Sequence, residues 1–110
     1  MPKIAKVILP IAINKAFDYQ IPPDKSITKG TRVIVNFNGK ERLGIVYSLT
    51  SETKAKKLKP IKEIIDQVPV LNNNHFKLAK RLKDYYPYPL SEFIFPMLPP
   101  YLRKKRKLGK

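Results

Sequence analysis

The sequence contains no cysteine, no tryptophan, one histidine and only eight acidic residues among 110. Without cysteine there is no disulfide and no thiolate metal site. A histidine-based catalytic centre has His75 as its one candidate. That residue follows three asparagines at the expected start of a helix, where it reads as a first-turn surface residue and not as a base. No apolar run reaches the roughly 18 residues that a membrane span needs. The N-terminal Met-Pro-Lys-Ile-Ala-Lys lacks the apolar core of a signal peptide, so a cytoplasmic protein is the expectation. There is no phosphate-binding glycine loop, no Rossmann glycine pattern and no cluster with metal-ligand spacing. These residues alone are not expected to form an enzyme.

Positive charge is what the chain has in excess. Twenty-three Lys and Arg give a net charge of +15. That balance predicts a polyanionic partner, nucleic acid before a membrane surface. It says nothing about sequence preference, because phosphate contacts carry none. Six of the positive charges lie in residues 103–110, leaving +9 on residues 1–102. The body is therefore basic without its tail. The hydrophobic fraction, 43%, is that of a folded domain of modest core. The expected division is one domain over residues 1–102, with 103–110 as a basic tail or the start of a linker.

Turn signals divide the first two thirds of the chain into short strands. Lys3 to Pro10 and Phe17 to Ile21 read as the first two, joined by a connection with a turn at Asn14-Lys15. Thr31 to Phe37 follows, with Val33, Val35 and Phe37 on one face and Ile34 apolar as well. Asn38-Gly39 is the strongest hairpin signal present. It leads into Leu43 to Ser48, where Gly44 implies a bulge or a close backbone approach. The polar segment 50–57 reads as a mobile loop. Leu58 to Ile65 returns to strand composition, with Pro60 at an edge or a strand start. After Pro69 the pattern becomes helical. Asn72 to Asn74 supply capping residues. His75 to Tyr86 sets Leu78, Ala79, Leu82, Tyr85 and Tyr86 on one face, with Lys77, Lys80, Arg81 and Asp84 on the other. A second helix from Pro89 is stopped by Pro96, and Met97 to Leu102 is extended. The expected class is mainly β with C-terminal α. It is a small barrel-like sheet of about five strands over residues 3–66, followed by one or two helices over residues 74–96.

Within this plan Ala16-Phe17-Asp18-Tyr19-Gln20-Ile21-Pro22 stands out. Asp18 is the only acid in the first 23 residues. Strand alternation projects it opposite Phe17 and Tyr19. A carboxylate only accepts hydrogen bonds. In a basic, phosphate-seeking domain it can read donors that phosphates lack, a base amino group or a terminal sugar hydroxyl. The plainer alternative is an exposed strand residue paired with a lysine. Asn38-Gly39 can adopt positive φ and offer backbone N–H groups to a phosphate or sugar, or can be a plain hairpin turn. Lys59 flanks the second strand, or is one more solvated lysine. Of Phe17, Tyr19, Phe37 and Tyr47, one can stack a base while the rest are core. Tyr85, Tyr86 and Tyr88 are expected to pack the helix down.

These motifs, taken in order, carry a resemblance. Val7-Ile8-Leu9-Pro10, Ala16-Phe17-Asp18-Tyr19 with Ile21-Pro22, Lys29-Gly30-Thr31-Arg32-Val33 and Val35-Asn36-Phe37 come first. Gly44-Ile45-Val46, Leu58-Lys59-Pro60-Ile61, Asp84-Tyr85-Tyr86, Pro89-Leu90-Ser91-Glu92 and Leu98-Pro99-Pro100 complete the set. The sequence resembles the N-terminal DNA-binding domain of the primosomal protein N′ (PriA) family of bacterial replication-restart helicases. The resemblance implies recognition of the 3′ end of a nascent DNA strand at a stalled fork. It implies a terminal-nucleotide pocket formed by Phe17, Asp18, Tyr19, the turn at Asn38 and Gly39, and Lys59. Family members usually read Pro-Phe-Gly where this chain has Asn36-Phe37-Asn38, and Pro96 interrupts a helix that usually continues. The resemblance further implies a monomer that needs no cofactor itself. The ATP, magnesium and zinc of the longer protein, and its contacts with single-stranded-DNA-binding protein and other primosome proteins, are expected elsewhere. Two other classes stay open: a single-stranded DNA or RNA binder without end preference, and a protein-docking module using Phe93, Phe95 and Met97.

Overall fold

The computed structural model describes residues 3–11, 15–53 and 58–103. The expected turn at Asn14, half of the expected mobile loop and nearly all of the basic tail lie outside them. Five strands form one sheet: β1 (Ile4–Ile8), β2 (Phe17–Gln20), β3 (Arg32–Phe37), β4 (Lys40–Thr50) and β5 (Glu63–Ile64). Their order is β2-β1-β4-β3-β5, and every ladder is antiparallel. The sheet is not closed. One parallel bridge, Gln20 to Pro60, links its two edges.

The 58–65 segment is not the single strand its composition predicts. Its backbone first serves β2, with Lys59 O accepting from Gln20 N and Ile61 N donating to Gln20 O. It then crosses to β3, where Lys62 N donates to Ile34 O and Ile65 N to Arg32 O. Pro60 has no N–H to continue a ladder, so pairing is divided between two partners and only two residues form β5.

Both faces of the sheet are buried, which explains the unbroken apolar run of β3. Val33 and Val35 join Val7, Val46, Tyr19 and Ile61 on one face. Ile34, Leu43 and Ile45 turn to the other, against Phe76, Ala79, Ile94 and Leu98 of the helical layer. Gly44 marks the crossing of β1 over β4. A Cβ there would lie 2.4 Å from Val7 Cγ1 and 3.2 Å from Ile8 O. The close approach expected at Gly44 therefore holds. The bulge falls elsewhere: the β1–β4 register shifts between Lys6 and Val7, at Tyr47 of β4, while β3 pairs regularly through Gly44.

The helical layer starts with α1 (Asn73–Tyr85). Asn72 caps it, accepting from the backbone of Asn74 and His75, while Asn72 N donates to His75 Nδ1 at 3.0 Å. His75 thus closes a capping box, a structural task. The buried face of α1 is not the expected one. Phe76 and Ala79 are buried, whereas Leu78 is 49% exposed and Tyr85 84%. Phe76 turns inward, edge-on to Tyr47 at 5.5 Å. Tyr86 and Tyr88 flank Phe93 at 6.3 and 6.4 Å but stay more than half exposed, so the tyrosines do not pack the helix down as expected.

The chain continues through α2 (Ser91–Ile94) into 3₁₀ turns at Phe95–Met97 and Pro100–Leu102. The second α-helix is short and ends at Ile94, ahead of Pro96, as expected. Pro96 sits at the start of a 3₁₀ turn, where its missing N–H costs nothing. The turn at Pro100–Leu102 replaces the expected extended run. Phe95 is buried and Phe93 and Met97 are partly buried against the core, so less of their apolar surface faces outward than the protein-docking reading assumes. Arg103 Nε donates to Phe95 O and Leu98 O, and Arg103 Nη2 to Pro96 O, so this first residue of the expected tail caps the last helical turns.

One feature escaped the sequence reading. Arg32 is fully buried, and its Nε and Nη2 grip Asp66 at 2.9 and 2.7 Å. Nη1 donates to Leu102 O at 3.0 Å. The start of β3, the segment after β5 and the C-terminal turn are thereby joined at one guanidinium.

Candidate functional site

The site is assembled by pairing across the β2 edge. β1 and β2 pair so that Lys6 stands directly opposite Asp18. Lys6 Nζ donates to Asp18 Oδ1 at 2.9 Å. Thr53, just beyond β4, donates its hydroxyl to Asp18 Oδ2 at 2.5 Å. The Asp18 side chain is 14% exposed. Burial pushes its pKa upward. The hydrogen bonds from Thr53 and Lys6, with the charges of Lys6 and Lys15, outweigh that and hold it below the ordinary carboxylate value. Asp18 is therefore an ionised acceptor at neutral pH, already paired with a lysine as its plainer reading anticipates. Each of its oxygens has a second lone pair free for a ligand.

Tyr19 points into the core. It is 5% exposed, and its hydroxyl donates to Asn36 O at 2.8 Å. Burial raises its pKa, so the phenol stays a donor. Tyr19 has no free ring face for stacking and instead ties β2 to the end of β3. Phe17 is only partly buried. It meets Phe37 edge-on at 4.9 Å, with Lys15 Nζ 5.4 Å from its centroid.

The β3–β4 turn settles which of its residues faces the site. Asn38 has φ 52° and Gly39 φ 80°, the pair of positive values that a tight hairpin turn requires. Gly39 N donates to Asn36 Oδ1 at 3.1 Å, and a Cβ on Gly39 would meet open space. Asn38, not Gly39, lines the cavity.

Phe17, Asp18, Tyr19, Asn38 and Lys59 come together around an open cavity of about 520 Å³. Lys59 is held there by its backbone bond to Gln20. The sequence reading omitted Lys6, Lys15 and Asn36 from this wall, and Thr53 from its support. Lys6 was findable, since antiparallel pairing of the first two strands sets it opposite Asp18. Nothing in the sequence signals Thr53, which lies 35 residues from its partner. The result is one carboxylate among three lysines, with a partly open aromatic beside them. Among the described residues no group of three or more His, Cys, Asp or Glu comes together to hold a metal. None of their helices is long and apolar enough to cross a membrane.

Comparison with known proteins places the chain in a family. The family model described as the 3′DNA-binding domain of PriA matches residues 6–99. The replication restart protein PriA of Buchnera aphidicola subsp. Schizaphis graminum is 33% identical over 103 residues, covering 92% of this chain and 14% of that protein. That of Rickettsia conorii is 34% identical over 103 residues, covering 94% and 16%. That of Chlamydia pneumoniae is 34% identical over 96 residues, covering 86% and 13%. The chain thus spans between 13% and 16% of the length of these relatives. With a family match across nearly all of the described fold, the chain belongs to the PriA 3′DNA-binding-domain family.

Proposed function

We propose that this domain captures the 3′-terminal nucleotide of a DNA strand in the cavity between β2 and the β3–β4 turn. The observation that carries the reading is the single ionised carboxylate set among Lys6, Lys15 and Lys59. Lysines alone would hold any phosphate. A carboxylate among them favours a group that donates, and a free 3′-hydroxyl donates where a continuing phosphodiester does not. A hydrogen bond to a charged group contributes about 1.5–3 kcal/mol, roughly 10- to 100-fold in affinity. A 3′-phosphate would instead meet Asp18 as a like charge. Phe17 offers the terminal base its partly open ring, Asn38 lies beside the sugar, and Lys59 and Lys15 meet the preceding phosphates. Base preference is weak, since Asp18 accepts from any donor in reach.

In a longer parent protein this capture would bring an ATP-dependent helicase to the nascent 3′ end at a stalled fork, for primosome assembly and restart. ATP, magnesium and zinc chemistry, and contacts with single-stranded-DNA-binding protein, would then belong to the parent's other parts. The test is fluorescence anisotropy at moderate salt with short strands of equal length. One ends in a 3′-hydroxyl, one in a 3′-phosphate, and a control carries a 5′-phosphate. Tighter binding of the free 3′ end is expected, with the preference lost in Asp18→Asn. Equal affinity for all three would overturn the reading and leave a basic surface without end preference.

A further inference from the structure

The outer face of α1 shares no residue with the cavity and has no partner in the fold. Lys77, Lys80 and Arg81 line a shallow depression of about 480 Å³ there, with Leu78 and Asp84. All three cations are exposed, and none of them forms an ion pair or hydrogen bond among the described residues. Lys77 stands three residues from Lys80 and four from Arg81, so like charges adjoin along the helix and repel. The stripe runs on to Tyr85, 84% exposed and four residues beyond Arg81. A helix face that sets these three unpaired cations beside an exposed ring is well suited to a polyanion with exposed rings.

We propose that this face is a second DNA contact, which holds single-stranded DNA outside the terminal pocket. The inference rests on the DNA-binding reading only in taking DNA as the polyanion. Lys77, Lys80 and Arg81 meet phosphates, and Tyr85 stacks an unpaired base. The exposed ring selects a single strand, because cation stripes with interleaved aromatics suit unpaired bases and the bases of a duplex are already stacked on each other. Phosphate contacts on this face would also relieve the repulsion within α1.

The test uses the full 110-residue chain. Two strands with free 3′ ends are compared, one of three nucleotides and one of about 15 nucleotides. The variants are Lys77→Ala/Arg81→Ala and Tyr85→Ala, with Lys3→Ala/Lys25→Ala as a control of equal net charge. Alanine is the best helix former, so the helix is retained, which thermal unfolding checks. The double variant is expected to weaken the long strand and to lower the slope of log affinity against log salt by roughly 1.4. Tyr85→Ala is expected to weaken the long strand about tenfold. Both should leave the short strand unchanged, and the control should leave both strands nearly unchanged. Any other pattern overturns the proposal: an unchanged long strand, a control that loses as much, or a loss confined to a blunt duplex or a polyglutamate peptide. If the wild-type short strand shows no preference for a 3′-hydroxyl over a 3′-phosphate, the pocket reading falls alone. The long-strand comparison does not depend on end chemistry.

Discussion

Replacing Asp66 by alanine should be the most damaging single change in this domain. Arg32 is fully buried, and three of its donors end on Asp66: Nε at 2.9 Å, Nη2 at 2.7 Å and its own backbone N–H at 3.0 Å. Asp66→Ala removes the counter-charge and leaves the guanidinium in the interior, with Leu102 O as a neutral acceptor. Breaking a buried pair from one side costs about 3–5 kcal/mol. A domain of this size has about 5–15 kcal/mol in total, so the variant loses from a fifth of its stability to all of it. The loss is not the net value of the pair. Arg32→Met/Asp66→Leu removes both charges at similar volume and should recover most of the stability, or exceed wild type. Urea unfolding followed by circular dichroism measures all three proteins. A loss below about 1 kcal/mol for Asp66→Ala, the range of an exposed pair such as Lys62–Glu41, would refute the reasoning. The three segments joined at Arg32 would then be held by packing alone.

Two further outcomes follow from the same structure. Because the folded state holds the Asp18 pKa below the ordinary carboxylate value, Asp18 contributes stability that is present above that ordinary value and lost as pH falls through the depressed one. The unfolding free-energy gap between wild type and Asp18→Asn should therefore be flat near neutrality and shrink in acid; a gap that widens on acidification would contradict the pairing with Lys6 and Thr53. Gly44→Ala places a methyl 2.4 Å from Val7 Cγ1 and should cost about 1–3 kcal/mol, measured by thermal unfolding. Combined with Val7→Ala the two losses should be less than additive, and strict additivity would mean that the backbone yields instead.

How far the sequence reveals this protein depends on the range of the interaction involved. The Asn38-Gly39 turn was legible because positive φ is demanded by two adjacent residues and supplied by them. The Asn72 cap was legible for the same local reason. The face of α1 was not, because Phe76 and Leu78 are both apolar and only the docking of Tyr47, some thirty positions earlier, selects one of them. The terminal segment was legible only in part. The α-helix does end ahead of Pro96, but the 3₁₀ turns that follow and the Arg103 bonds to Phe95 O and Pro96 O depend on a residue seven or eight positions later. The site divides along this line too. Its strand residues were identifiable, since β2 carries them in one short run. Their chemistry was not, because the state of Asp18 is set by Thr53 and Lys6 from other elements. Tyr19 makes the point most directly. As sequence it is an aromatic available to a base, yet its hydroxyl bond to Asn36 turns it inward and leaves the partly buried Phe17 and Phe37 as the rings that line the cavity. A residue's presence in a pocket can therefore be read locally, whereas its role is fixed by partners distant in the chain.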